Sequence, residues 1–325
     1  MTSSIASPRT RLSFVYSSFG PPLSTLRLVE TGVSDLMPGN LRVAMRYAPV
    51  NPSDLIPISG AYSHRIALPA VAGYEGVGRV IEAAPGFSHM VGKRVLPLRG
   101  EGTWQTLVDC AGGDAVEVPD AVPDVIAARA YINPLAAFTM LRLWPVRGRT
   151  VLLSGAGSSC ADYLGHWALR QGAESVIGIY RSKSRVPRMR ALGIVPVSMD
   201  DGPRVAEAAG KADVTFDALG GPVASRILGL MPNGSTFVGY GLLTREPVLP
   251  PDEPQASFCR FHMRDHLVSA ASGGMADAFA GIWPLLAGME LPQARIFPAR
   301  QWRQAIAEAG RPGAQKPILD FSDCA

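Results

Sequence analysis

Several residues from the middle of the chain onward have the types and spacing needed to hold a dinucleotide. The apolar run Thr150-Val151-Leu152-Leu153-Ser154 leads into Gly155-Ala156-Gly157-Ser158-Ser159-Cys160-Ala161, and a helical pattern follows over residues 162–171. Glycines between a buried strand and a helix let the backbone approach a pyrophosphate. The helix N-terminus adds free N–H groups and a positive dipole end. Gly155, Gly157, Ser158 and Ser159 are therefore the candidate pyrophosphate residues. The first two glycines of a GxGxxG pattern are present, and Cys160 stands where the third would fall. The next strand ends in Tyr180-Arg181-Ser182-Lys183-Ser184-Arg185. A site for NAD places Asp or Glu near this point, to bond the ribose 2′-hydroxyl. No acid is present here, and an arginine fork suits a phosphate. Arg181, Lys183 and Arg185 thus point to NADPH. Gly239-Tyr240-Gly241 closes a later strand at the carboxyl edge, where such sheets bind ligands.

A reduction by NADPH leaves negative charge on a substrate oxygen, which needs a Lewis acid or a hydrogen-bond donor. A catalytic zinc takes about three protein ligands. The histidines, His64, His89, His166, His262 and His266, form no cluster, although His262 and His266 stand at i, i+4 spacing. The cysteines, Cys110, Cys160, Cys259 and Cys324, lack the close pairing of zinc sites and of a disulfide framework. Without a metal, a hydroxyl must donate the hydrogen bond or proton.

Two kinds of element must position these groups. Before residue 120 the pattern is short strands with glycine turns: Leu41-Arg42-Val43-Ala44-Met45-Arg46-Tyr47, residues 77–82, 93–98 and 103–108. After it, residues 123–140 are alanine-rich and predict a helix. Strand and helix then alternate, with strands at residues 150–154, 175–180, 193–197, 213–217 and 235–239. Such alternation predicts a doubly wound α/β sheet.

Residues 51–78 read NPSDLIPISGAYSHRIALPAVAGYEGVG. The stretch resembles the N-terminal half of a medium-chain dehydrogenase/reductase. Zinc-dependent alcohol dehydrogenases carry a Cys and a Gly-His-Glu as metal ligands there. This chain has Asn51 to Asp54 at the first place and Gly73-Tyr74-Glu75 at the second, and it lacks the four-cysteine structural-zinc lobe. The motifs NPSD, GAY and LPAVAGYEGVG most resemble mitochondrial-type 2-enoyl thioester reductases, with Tyr74 in place of an Asn. The resemblance runs to the closing Lys316-Pro317-Ile318-Leu319-Asp320. It implies a GroES-like β domain over residues 1–122 and 267–325, and a Rossmann NADP-binding domain over residues 123–266. It implies reduction of a 2-enoyl thioester, with Tyr62 hydrogen-bonding the thioester carbonyl or relaying a proton. Asn51 and Asp54 are expected to orient the cofactor or the loop, although an Asn-Pro turn alone also explains them. It further implies a homodimer, with residues 234–261 near the subunit contact. Quinone and enone reductases of the same superfamily share the features quoted. A non-catalytic nucleotide-binding relative is a third reading.

The 325 residues are 47% hydrophobic and 18% charged, so a globular protein with a sizeable core is expected, of two domains or one large one. The net charge of +4 carries no dense Lys/Arg run, so a nucleic-acid groove is not expected. No apolar run reaches the length of a membrane span, and the first residues lack the apolar core of a secretory signal. A cytoplasmic location is the expectation.

Overall fold

The computed structural model describes residues 10–61, 63–266, 274–311 and 313–324. It divides into two compact units, Met1–Ile132 with Val268–Ala325, and Asn133–Leu267. The first crossing thus comes later than the composition change near residue 120 suggests.

The strands in chain order are β1 (Thr10–Tyr16), β2 (Arg27–Gly32), β3 (Asn40–Pro49), β4 (Ala70–Val71), β5 (Val77–Ala83), β6 (Arg94–Pro97), β7 (Leu107–Ala111) and β8 (Ala115–Glu117). The second unit adds β9 (Thr150–Ser154), β10 (Ser175–Tyr180), β11 (Val195–Ser198), β12 (Val214–Asp217), β13 (Thr236–Gly239) and β14 (Ser257–Arg260). The chain closes with β15 (Ala294–Pro298) and β16 (Lys316–Asp320). The helices are α1 (Pro22–Thr25), α2 (Pro52–Ile58), α3 (Asp124–Ala127), α4 (Ile132–Leu143), α5 (Ser159–Arg170), α6 (Val186–Ala191), α7 (Gly202–Gly210), α8 (Gly221–Leu230), α9 (Gly274–Ala287) and α10 (Trp302–Ala309).

In the first unit, β15-β16-β3-β5-β6-β8 follow one another across a sheet, with β7 also paired to β3, and β2-β1-β4 form a second sheet. Strand β3 alternates because one face is covered, and Leu41, Val43 and Met45 point into the core. Phe14 packs edge-on to Trp104, with centroids 6.4 Å apart, and tilts against Trp302 and Phe321. Burying a ring of this size stabilises the fold by about 1.5–3 kcal/mol. Strand β16 lies antiparallel to β3, so the end of the chain is built into the sheet beside residues 47–49.

The second unit is a sheet of order β11-β10-β9-β12-β13-β14 with every ladder parallel. The chain starts at β9, winds outward to β11, returns to β12 beside β9, and winds the other way to β14. That is the doubly wound order, and its switch point lies between β9 and β12. Val151, Leu152 and Leu153 are fully buried, which is why β9 reads as a continuous apolar run. Helices α7 and α8 bury Val205, Ala208, Ala224 and Ile227 in a cluster with Leu152 and Phe237.

Two expectations are corrected. The strand expected at residues 103–108 begins only at Leu107. Before it, Gln105 makes a single bridge to Ser13, while Leu107 pairs with Ala44 on β3. The segment passes from one sheet to the other, so its alternation reflects burial without a continuous ladder. The helix expected over residues 123–140 is broken into α3 and α4. The break falls where the Glu75 carboxylate accepts the N–H groups of Tyr131 and Ile132 and starts a new helix. None of the described helices is long and apolar enough to cross a membrane.

Candidate functional site

In the second unit the glycine-rich turn follows β9 directly. Gly155 has φ +60°, and a Cβ there would stand 3.2 Å from both the Ala218 Cβ and Leu219 Cδ2. At Gly157 a Cβ would stand 3.0 Å from Arg185 Cγ, so the first residue of the turn that faces the basic loop has no room to spare. Ser158 is the N-cap of α5 and accepts the Ala161 N–H at 3.3 Å, and Ser159 is the first helical residue. Cys160, at the place of a third glycine, is buried with its Sγ 3.8 Å from the Asn133 carbonyl. Burial pushes its thiol up to about 12. The close helix–sheet approach that a third glycine would give is made one turn later by Gly165, where a Cβ would fall 2.4 Å from Ile194 Cδ1.

The switch point is tied by polar groups. Ser154 Oγ donates to Asp217 and accepts the Ala218 N–H at 3.0 Å. Asp217 also accepts the N–H groups of Leu219 and Gly220 at 3.1 and 3.0 Å. Burial raises its carboxyl above the ordinary range, against these bonds. Gly239 pairs with Asp217 in register, and Tyr240 N–H donates to the Asp217 carbonyl at 2.8 Å. A Cβ on Gly241 would meet the Ala218 carbonyl at 2.6 Å. Gly155 and residues 239–241 are thus brought together at the carboxyl edge around residues 217–218. The Tyr240 hydroxyl lies buried beside Ser158 and Cys160 and makes no hydrogen bond within 3.5 Å to N or O among the described residues.

Arg181 and Lys183 are exposed after β10, and Arg185 is half-buried against Gly157. Arg188 donates to Asp162 of α5 at 3.3 Å, which fastens α6 beside the turn. A backbone cradle closed to side chains, a helix N-terminus, an orphaned hydroxyl and adjacent guanidinium groups fit a phosphorylated dinucleotide.

In the first unit, Asn51 caps α2 and is almost fully buried. Its N–H donates to Asp54 Oδ2 at 2.7 Å, and Asp54 Oδ1 accepts the Tyr74 N–H at 3.0 Å. Asn51 Nδ2 donates to Glu75 Oε1 at 2.6 Å, and its Oδ1 accepts from Lys316 Nζ. Glu75 Oε2 accepts the N–H groups of Tyr131 and Ile132 at 3.1 and 2.8 Å. Burial pushes Asp54 up to about 7, and Glu75 upward as well; the bonds to Asn51 and the Lys316 charge oppose both shifts. Burial lowers Lys316, and the two carboxylates oppose that. Asp54 lines a cavity of about 210 Å³ with Tyr16, Pro57, Ile66, Gly73 and Tyr74. Tyr62, the expected hydroxyl donor, lies outside the described residues. Among the described residues, no three or more His, Cys, Asp or Glu side chains are grouped as a metal site. His262 and His266 do not share an α-helix, and the His266 ring stacks on Phe261 with centroids 5.1 Å apart.

A family profile for the alcohol dehydrogenase GroES-like domain matches residues 37–120. Over 251 residues, the chain is 30% identical to the mitochondrial enoyl-[acyl-carrier-protein] reductase of Xenopus tropicalis, covering 73% of this chain and 71% of that protein. The chain belongs to the zinc-independent medium-chain dehydrogenase/reductase superfamily. Its first unit is the GroES-like half of that fold and its second unit the Rossmann half. Among solved structures, one from Bacillus thuringiensis assigned as an NADPH:quinone reductase superposes with a TM-score of 0.90 at 28% identity, covering 96% of this chain and 99% of that one. A complex of Etr1p with NADP and crotonyl-CoA shares the fold, with a TM-score of 0.81 at 19% identity over 96% of this chain and 100% of that one.

Glu75 and Lys316 are site residues that no sequence motif singled out. Glu75 was visible as the acid of Gly73-Tyr74-Glu75. A charged residue inside an apolar, glycine-rich stretch signals a buried, partnered group. Lys316 carried no such local signal.

Proposed function

We propose that the protein is an NADPH-dependent reductase of an activated carbon–carbon double bond, with 2-enoyl thioesters as the substrate class. The observation that carries this is the 30% identity, over 251 residues, to a mitochondrial enoyl-[acyl-carrier-protein] reductase. The acid-free basic loop beside Gly157 supports the phosphorylated form of the cofactor. In the reaction a hydride enters at the β-carbon and a proton at the α-carbon, and the double bond becomes a single bond. NADPH, when bound, supplies the hydride.

The second unit is the proposed cofactor-binding domain. Gly155, Gly157, Ser158 and Ser159 would hold the pyrophosphate, and Gly239, Tyr240 and Gly241 would run past the nicotinamide half. Arg181, Lys183 and Arg185 would hold the 2′-phosphate. In the first unit, the Tyr62 hydroxyl is the proposed donor to the thioester carbonyl, whose charge grows as the hydride arrives. Asn51 and Asp54 would fix the start of the segment that carries it.

A quinone or enone reductase is the second reading, favoured by the similarity to the Bacillus thuringiensis structure over 96% of this chain. An NADPH-oxidation assay decides between the two. Crotonyl-CoA and longer enoyl-CoA thioesters are compared with 1,4-quinones and simple enones. Turnover of quinones without turnover of thioesters overturns the thioester assignment. Tyr62→Phe should lose most of the enoyl rate while NADPH affinity, read by fluorescence, stays the same. An unchanged rate removes Tyr62 from the mechanism. Absence of NADPH and NADH binding would leave only a non-catalytic relative.

A homodimer is proposed through β14, the edge strand of the parallel sheet, whose outer side can pair with a second copy. Light scattering tests it. A cytoplasmic location is the proposed one, and the mitochondrial naming of the relatives makes the organelle its competitor. A C-terminal fluorescent fusion distinguishes the two.

A further inference from the structure

Lys316 reaches Asn51 across 265 residues of sequence. Its ammonium donates to Asn51 Oδ1, and Asn51 passes the interaction on through Nδ2 to Glu75. Asp54, one turn along α2, returns to the Asn51 N–H and also holds the Tyr74 N–H. Asn51, Asp54 and Glu75 are each at most 2% exposed. Two buried carboxylates therefore share one ammonium, and a neutral amide stands between the cation and Glu75.

The other charged groups nearby do not replace that ammonium. The Arg129 guanidinium is turned to the carbonyls of Val125 and Pro292 at 3.0 Å each, and its charge acts on Lys316. The Tyr131 phenol lies near Glu75, and burial pushes it up to about 12, so it adds no charge at neutral pH. Glu75 and Lys316 are the charges that act on Asp54. Removing one member of a buried charge set leaves the others uncompensated.

We propose that Lys316 is a positioning residue of the cavity at Asp54: its ammonium, held on Asn51, balances Glu75 and Asp54 and so keeps the carboxylate of Asp54 on the Asn51 N–H and on the Tyr74 N–H of the cavity wall. Without that charge one carboxyl takes up a proton, its bonds to the N–H groups weaken, and the wall at Gly73 and Tyr74 loosens. The role in turnover rests on the reading of this cavity as the substrate side of the reductase.

The test compares Lys316→Met, Lys316→Arg and the double variant Lys316→Met/Glu75→Gln with the wild type. Crotonyl-CoA is the substrate. The readouts are kcat and KM across pH, NADPH affinity by fluorescence, and melting temperature from about pH 5 to about pH 9. Lys316→Met should lower kcat by about tenfold or more, with NADPH affinity changed less than about twofold. Its melting temperature should recover towards low pH, where a protonated carboxyl relieves the unbalanced charge, while its activity stays low there, because that carboxyl no longer holds the N–H groups. Lys316→Arg should keep most of the rate. The double variant removes one charge of each sign, and should regain both the rate and the wild-type pH profile. A wild-type pH profile in Lys316→Met, or a double variant no better than the single, overturns the proposal. If Lys316→Met does not fold at any pH, the double variant decides: folding supports charge balance, and failure to fold overturns it. If the wild type reduces none of the alkenes, the reductase reading fails, and charge balance by Lys316 stands or falls on the melting series alone.

Discussion

The Asn51 side chain donates to Glu75 Oε1 over 2.6 Å, and each of the two residues is 1% exposed. Through the other oxygen of Glu75, the same carboxylate starts α4 at Ile132. One buried acid therefore joins the cap of α2, the turn at residues 73–75 and the beginning of a later helix. An Asn-Pro turn made only for local reasons needs none of this.

Glu75→Ala should destabilise the protein by about 3–5 kcal/mol, because it strands Asn51, two backbone N–H groups and the Lys316 charge in a buried place. A urea titration measures the loss. A change below about 1 kcal/mol would show that Glu75 does not fasten these segments.

Gly157→Val should raise the Kd for NADPH by about tenfold or more with little change in melting temperature. Arg185 is the neighbour that must give way, by a few tenths of an ångström at its Cγ. The backbone approach needed by a pyrophosphate is then blocked while the fold adjusts. Equal NADPH affinity in the two proteins would move the cofactor away from this turn.

Arg181→Ala/Arg185→Ala should weaken NADPH by about 10–100-fold and leave NADH nearly unchanged, since only the former carries the 2′-phosphate. Parallel titrations with the two nucleotides give the ratio. Equal losses for both would assign these cations to the shared pyrophosphate.

The Asp54 carboxyl stands at about 7 in the fold, raised from 3.8 chiefly by burial. Its folded value lies above its unfolded one, so the native state binds more protons between them. This group's contribution to stability is complete below about pH 4 and is lost as pH rises through about 7. Glu75, Asp162 and Asp217 are raised too, with burial the leading cause for each, and act with the same sign. Asp54→Asn separates the contributions: its urea midpoint should fall less steeply over this window than that of the wild type. The variant should also be less stable overall, because a carboxamide cannot accept both N–H groups with its single oxygen. A slope identical to the wild type would show that Asp54 does not titrate there.

The second unit was the more legible part of the chain. A parallel strand covered on both faces is an apolar run, and β9 is short and bounded by glycine. The loop after β10 stands out by its three cations and the lack of an acid. Cys160 stands where a third glycine was expected in the glycine-rich turn, and only the facing Ile194 reveals the close approach that Gly165 makes instead. At residues 103–108 alternation was a poor guide, because a segment crossing between two sheets also alternates in burial. The first unit was legible as a resemblance, while its internal wiring was not.

The order of strands and helices, the glycine turn, the basic loop and the motif at residues 51–78 are properties of neighbours in the chain, and the sequence determined them. They depend on local propensity and on the period of apolar residues. The joining of Asn51 to Glu75 and Lys316, and the seat of Gly157 against Arg185, were decided by tertiary structure. Desolvation and charge balance depend on which distant residues pack together, and Lys316 meets Asn51 only because β16 lies along β3.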